Sequence, residues 1–211
     1  MKKKYLYRFI KRTFDILCSL IGVIFLVPLI ILIKIANILT GDFKTVFLVQ
    51  DRIGKNGKTM HLIKFRSMIY SEEEKAKILN ETLKDPKLKK EWEEYKKLEN
   101  DPRVTKVGNI LRKTSIDEFP QFINILIGDM SLIGPRPYLP REKNDMGKYY
   151  DDIVTVKPGL TGLWQVSGRA DTTFKERLVL EKKYAKECGF KIDFIIFFKT
   201  FAAVFKKNGA K

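Results

Sequence analysis

The sequence predicts an α+β fold, mainly helical: one domain with an N-terminal reentrant membrane helix, a short β-hairpin and interfacial amphipathic helices. Three observations predict it. Ile16 to Ile33 form an uncharged apolar run, two short β-like segments flank a turn-rich loop near residue 54, and later stretches space their apolar residues as a helix does. The 211 residues suffice for one moderate domain with a substantial core. They divide into residues 1–40, a basic N-terminus with the membrane helix, and residues 41–211, the rest of the domain.

Lys2, Lys3, Lys4, Arg8, Lys11 and Arg12 precede the apolar run, which at about 1.5 Å per residue is just long enough to cross a hydrocarbon core of about 30 Å. It is long for a signal-peptide core, and no A-x-A-like cleavage site follows. A simple span conflicts with charge: Lys34, Lys44 and the remaining basic chain make both flanks cytoplasmic by the positive-inside rule. Pro28 splits the run into two arms, each too short to cross. A helix kinked at Pro28 that enters and returns on one face reconciles these facts.

Val46 to Val49 reads as a strand, and Met60 to Phe65 as its partner across Asp51–Gly57. The second strand delivers Lys64 and Arg66 on one face with Phe65 on the other. Arg66 suits bidentate phosphate recognition and Lys64 a point-charge contact, while a solvated strand end explains the spacing equally. Glu72 to Asn100 is dense in Glu and Lys, with Asp85-Pro86 separating two short amphipathic helices whose charged faces read as solvated.

Leu111 to Pro137 is the stretch around which the chain is organised. It carries the adjacent carboxylates Asp117 and Glu118 at a helix start, then Phe119, Phe122, Ile123, Leu126 and Ile127 at the spacing of one buried helical face. Arg112 stands upstream, and Gly134-Pro135-Arg136-Pro137 closes the run as a rigid turn with a cation. A helix N-terminus suits phosphate and keeps an aspartate ionised. Ser115-x-x-Glu118 is also a capping box, and on pattern alone capping stands ahead of catalysis. Pro120 argues against Ser115 as cap and accepts Asp117 as one.

Lys157 to Arg169 is rich in glycine; it is either a close-approach loop in which Arg169 holds an anion or an ordered surface loop. Phe174 to Glu187 has helical spacing. Ile192 to Phe205, dense in Phe with bordering lysines, reads as an interfacial membrane helix, a helix docked on the core being the plainer reading.

Charge and composition narrow the partners. The 41 Lys and Arg against 25 Asp and Glu leave +16, which calls for a polyanionic partner: nucleic acid, anionic membrane or phosphorylated substrate. The apolar run disfavours nucleic acid. Cys18 and Cys188, far apart, suit a reducing compartment, and a single histidine, His61, excludes a His-rich metal site.

Taken in order, the motifs resemble one family, the monotopic phosphoglycosyl transferases or bacterial sugar transferases. The resemblance is carried by Lys11-Arg12-x-Phe14-Asp15, Gln50-x-Arg52-x-Gly54, Lys64-Phe65-Arg66-Ser67-Met68 and Asp101-Pro102-Arg103-x-Thr105-x-x-Gly108. It continues through Leu111 to Gln121, Gly128 to Pro137 and Pro158-Gly159-Leu160-Thr161-Gly162, nearly the whole chain. Glu72 to Asn100 is similar to the hexose-1-phosphate transferase branch. The resemblance reverses the order of readings at the carboxylate pair. It implies transfer of a sugar-1-phosphate from a UDP-sugar to undecaprenyl phosphate with release of UMP, on the cytoplasmic face of the bacterial inner membrane. It makes Asp117 the nucleophile and Glu118 its partner, with Lys64, Arg112 and Arg136 around the phosphates and Mg²⁺ held by Asp117 or Glu118. Membrane lipids and a homo-oligomer are the further partners it leaves open. The rivals are a non-catalytic basic membrane-surface module and a one-step transferase.

Overall fold

A computed structural model of the chain describes residues 2–96, 98–168 and 172–205. Helix α1 is one element, Lys2–Leu39, of 38 residues. The two arms expected on either side of Pro28 are a single helix, which runs through the proline at the cost of that residue's N–H. Only 22% of its most apolar window is buried, too little for the core helix of a soluble domain.

Strand β1 (Phe47–Ile53) pairs antiparallel with β2 (Thr59–Phe65), from Phe47↔Phe65 to Ile53↔Thr59. The first strand outruns its expected end at Val49, so Asp51, Arg52 and Ile53 belong to the ladder and the turn shrinks to the residues around Lys55–Gly57. Asn56 and Gly57 take positive φ there, 58° and 74°, as a tight reversal requires.

Helices α2 (Glu72–Thr82) and α3 (Pro86–Tyr95) meet at the expected break. Asp85 caps α3 by accepting from Lys87 N at 2.8 Å, and Pro86 takes the first position, where no N–H is needed. Neither helix buries a residue, in keeping with the solvated reading.

Helix α4 (Lys106–Lys113) is capped by Thr105, whose hydroxyl accepts from Gly108 N at 2.9 Å. Helix α5 (Gln121–Ile127) ends at Gly128 with φ 99°. Strand β3 (Ser131–Ile133) pairs in parallel with β4 (Gly159–Thr161), across the short helices α6 (Lys143–Met146) and α7 (Tyr150–Ile153). Three helices follow: α8 (Leu163–Ser167), α9 (Phe174–Glu187) and α10 (Phe190–Phe205).

The glycine-rich stretch is therefore a strand and a short helix rather than an open loop. The close approach its glycines permit is to the chain's own backbone, since a Cβ on Gly159 would lie 2.1 Å from Gly134 N.

Helix α1 is seated on this framework along most of its length. A Cβ on Gly22 would meet the Phe122 ring at 2.4 Å, and Leu26 and Ile33 join Val46, Phe65, Val107 and Leu111 in one core cluster. Arg12 donates to Ile125 O and Leu126 O at 2.6 and 2.8 Å, satisfying the free carbonyls at the end of α5. Asp15 accepts from Leu132 N at 2.9 Å and Ser131 Oγ at 3.1 Å. Helix α10 docks by one face: Tyr7 and Phe14 pack edge-on against Phe190 and Phe197, and Asp193 binds Lys11 at 2.6 Å. Its other face leaves Phe194, Phe198 and Phe201 exposed.

Candidate active site

Asp117 and Glu118 do not begin a helix. They lie in a 3-10 turn, Ile116–Glu118, between α4 and α5. Neither sequence-based cap forms: Ser115 is left-handed at φ 57° with no side-chain capping bond, and α5 begins only at Gln121. The reason is Ser115's own backbone, which turns the chain before a capping hydroxyl could face the helix.

Two contacts place this turn. Gly108 lets α4 press onto the end of β2, where a Cβ would fall 1.9 Å from Ser67 O. Asn124, fully buried on α5, acts as an extra strand edge: Oδ1 accepts from Ile63 N at 2.9 Å and Nδ2 donates to His61 O at 2.7 Å. Those flanking bonds hold the carboxylate turn against Lys64.

Lys64, Arg52, Arg112 and Arg136 all interact electrostatically with the carboxylate pair. Burial lowers Lys64 to about 8, and Arg52 and Arg112 push the same way while Asp117 opposes. Asp117 is pushed above its ordinary range by burial, with Lys64 and then Arg112 pulling it back. Glu118 is pushed up to about 7, first by burial and then by the neighbouring Asp117 charge. The expectation that a helix terminus keeps the aspartate ionised is thus modified: a hydrogen bond from Asp117's own backbone N–H is the smallest contribution, and cations from four other segments do most to oppose the desolvation.

The remaining predicted residues fall in different places. Arg112 Nε donates to Ser67 Oγ at 3.0 Å, and among the described residues its two terminal nitrogens make no direct bond to a carboxylate. Arg136 lies in its Pro-Arg-Pro turn with its guanidinium 5.7 Å from the Trp164 ring. Arg66 does not join this cluster. Its guanidinium is spent on Thr45 O, Met68 O and Asp42, the last at 2.8 Å, so it anchors the 42–45 loop. Lys64 and Arg66 therefore part company beyond the strand end. Arg169 lies outside the described residues.

Arg52 belongs to the site although no role was read for it. It is buried, donates to Pro137 O at 2.9 Å and to Gln50 Oε1 at 2.6 Å, and burial lowers it to about 10. Its place in Gln50-x-Arg52-x-Gly54 was the available signal. Asp101-Pro102-Arg103, by contrast, is structural. Burial raises Asp101, but the fork of bonds from Arg103 outweighs it and holds the carboxyl below its usual range.

Asp117 and Glu118 form no ion pair within 4 Å among the described residues, and the Asp117 carboxyl takes a hydrogen bond from its own backbone N–H. No cluster of three or more His, Cys, Asp or Glu that could hold a metal occurs among the described residues. Two carboxylates are nonetheless a fitting donor set for Mg²⁺, which binds through one or two and takes its other oxygens from water and substrate phosphate.

The arrangement defines a class: a domain seated along a long exposed apolar helix, with a carboxylate pair inside a ring of cations suited to phosphate. The family follows from comparison. The model for the bacterial sugar transferases matches residues 6–207, and the chain belongs to that family. It is 43% identical to an undecaprenyl-phosphate galactose phosphotransferase of Salmonella typhimurium, over 96% of this chain and 42% of the relative. It is 39% identical to the exopolysaccharide production protein ExoY of Sinorhizobium fredii, over 95% and 87%. It is 35% identical to the UDP-glucose:undecaprenyl-phosphate glucose-1-phosphate transferase of Escherichia coli, over 92% and 39%. The chain thus spans less than half the length of several curated relatives it matches.

Proposed function

We propose that the chain transfers a sugar-1-phosphate from a UDP-sugar to undecaprenyl phosphate, releasing UMP, and so opens exopolysaccharide, O-antigen or glycoprotein glycan assembly. One observation carries this reading: a half-buried carboxylate pair, in no ion pair among the described residues and ringed by Lys64, Arg52, Arg112 and Arg136, in a chain of the sugar transferase family.

In this reading an Asp117 oxygen attacks the β-phosphorus of the donor, the bond to the bridging oxygen breaks, and UMP departs with the electron pair. The acyl-phosphate left on Asp117 carries the sugar. An oxygen of the polyprenyl phosphate then attacks the same phosphorus and returns Asp117 as a carboxylate. Burial and the Asp117 charge push Glu118 up to about 7, while Lys64 and Arg112 pull Asp117 back toward the anionic form its attack needs. Lys64, Arg112 and Arg136 orient the phosphoryl oxygens and neutralise their charge, which is most of what such a transfer asks of a protein. Mg²⁺, held by Asp117 and Glu118, would supply further neutralisation of those oxygens when bound.

Helix α1 is read as reentrant, with the catalytic domain on the cytoplasmic face of the inner membrane. Its contacts support this: Arg12 and Asp15 near one end hydrogen-bond to α5 and β3, and Ile33 near the other packs with Phe65, Val107 and Leu111 of the same domain. A domain on one side of a bilayer can hold both ends only if both lie on that side. The exposed aromatics of α10 add an interfacial surface beside it.

The test is intact mass and UMP release after incubation with UDP-galactose, UDP-glucose or UDP-N-acetylgalactosamine and Mg²⁺, without lipid acceptor. A sugar-phosphate adduct and stoichiometric UMP are expected, both absent in Asp117→Asn. UMP that forms only when polyprenyl phosphate is added favours one-step transfer. No turnover under any of these conditions leaves the non-catalytic membrane module.

A further inference from the structure

Arg136 stands between two prolines, which shortens the accounting of its backbone. Pro135 and Pro137 have no N–H, so of these three residues Arg136 alone carries a backbone donor. The donor goes to a distant side chain: Arg136 N binds Glu181 Oε1 at 3.0 Å. The flanking carbonyls are also taken, Pro135 O by Gly159 N at 2.8 Å and Pro137 O by Arg52 Nη1 at 2.9 Å.

Glu181, on α9, is 0% exposed. Its second oxygen, Oε2, is buried with no hydrogen-bond partner among the described residues. Arg177, one turn earlier on the same helix, lies with its guanidinium 4.2 Å from the Trp164 ring, the ring that Arg136 also approaches. A carboxylate buried this deeply is costly, and an apolar side chain of equal volume would pack the space at less cost. Packing therefore does not account for it. Its bond to Arg136 does.

We propose that Glu181 is a positioning residue for the transfer: by accepting the Arg136 N–H it fixes the Pro-Arg-Pro turn and aims the Arg136 guanidinium at the carboxylate pair. The proposal rests on the reading above, in which Arg136 meets the transferring phosphate. Arg177 and Arg136 supply the positive charge that offsets part of Glu181's desolvation.

Two neutral substitutions of similar shape separate the bond from the charge. Glu181→Gln keeps an acceptor for Arg136 N, and Glu181→Met fills the same volume without one. The assay is steady-state UMP release by the full chain in detergent, with the three UDP-sugars above and undecaprenyl phosphate, alongside near-UV circular dichroism and Tm. Glu181→Met is expected to lower kcat/KM by about 10- to 100-fold with the fold intact, the usual cost of misplacing a charge-stabilising group by about 1 Å. Glu181→Gln is expected to stay within about three-fold of wild type, since the acceptor survives. In an Arg136→Ala background Glu181→Met should cost nothing more, because it acts through the group already removed.

A folded Glu181→Met with wild-type turnover overturns the proposal. So does a Gln variant as impaired as the Met variant, or a Met loss that repeats in full in the Arg136→Ala background. Glu181→Leu supplies the same comparison if the methionine variant does not fold. Wild-type turnover in Arg136→Ala alone is a different failure, that of the site reading on which Glu181's role depends.

Discussion

Lys64 is where environment changes a residue's chemistry most directly. Burial brings its ammonium down to about 8 from a usual value of 10.5, so the cation is present below that pH and lost as pH rises through it. If this charge neutralises the donor phosphates, kcat/KM for the UDP-sugar should fall on the alkaline side with an apparent pKa near 8. Lys64→Arg keeps its charge throughout that range, so the alkaline limb should move upward. A limb that stays in place in the arginine variant removes Lys64 from the role. Arg66, two residues on, is predicted to behave otherwise: its guanidinium is already consumed by the 42–45 loop, which makes it a residue of stability.

At the scale of elements, the site depends on how α5 docks against β2. Asn124 makes both hydrogen bonds of that seam, and the side chain is completely buried. Asn124→Leu leaves Ile63 N and His61 O without these partners, a cost of roughly 2–4 kcal/mol. For a chain of this size that should lower Tm by at least about 5 °C, read by thermal melting in detergent. A change within about 1 °C would show that the seam is held by apolar packing alone. The neighbouring junction of α1 with α5 follows the same logic with different means: Gly22 leaves room for Phe122, and Arg12 closes the end of α5.

For the whole molecule, the question is how a basic chain of +16 sits at a membrane. With both ends of α1 bound to one domain, reentry predicts that residues before and after the apolar run share a face. Single cysteines at Lys4→Cys and Lys44→Cys, with Cys18 and Cys188 replaced by serine, test this with a membrane-impermeant maleimide. Both should label in inverted inner-membrane vesicles and neither in right-side-out ones. Labelling of the two from opposite sides would make α1 a span.

Much of the architecture was written locally and could be read that way. Asp85-Pro86 separates α2 from α3 because a capping carboxylate and a missing N–H act within a few residues. The capping box of Thr173 and Glu176 opens α9 where helical spacing began. The apolar run, the hairpin and the order of motifs likewise determined the class of fold and the family. What the sequence could not decide was the partner of each polar side chain. Ser115 and Glu118 satisfy the capping pattern, yet the left-handed Ser115 backbone sets a different turn, and the pair's charge state comes from burial and cations on β1, β2, α4 and the Pro-Arg-Pro turn. Lys64 and Arg66 alternate like site residues, but only one reaches the carboxylates. Glu181 lies in an ordinary helical stretch 45 residues from Arg136, and nothing local marks their bond. The sequence by itself determined most of the elements and set two carboxylates side by side between α4 and α5, because capping, periodicity and charge act over a few residues. Tertiary structure alone decided protonation and aim, because desolvation and hydrogen-bond partners are supplied by segments that meet only when the chain folds.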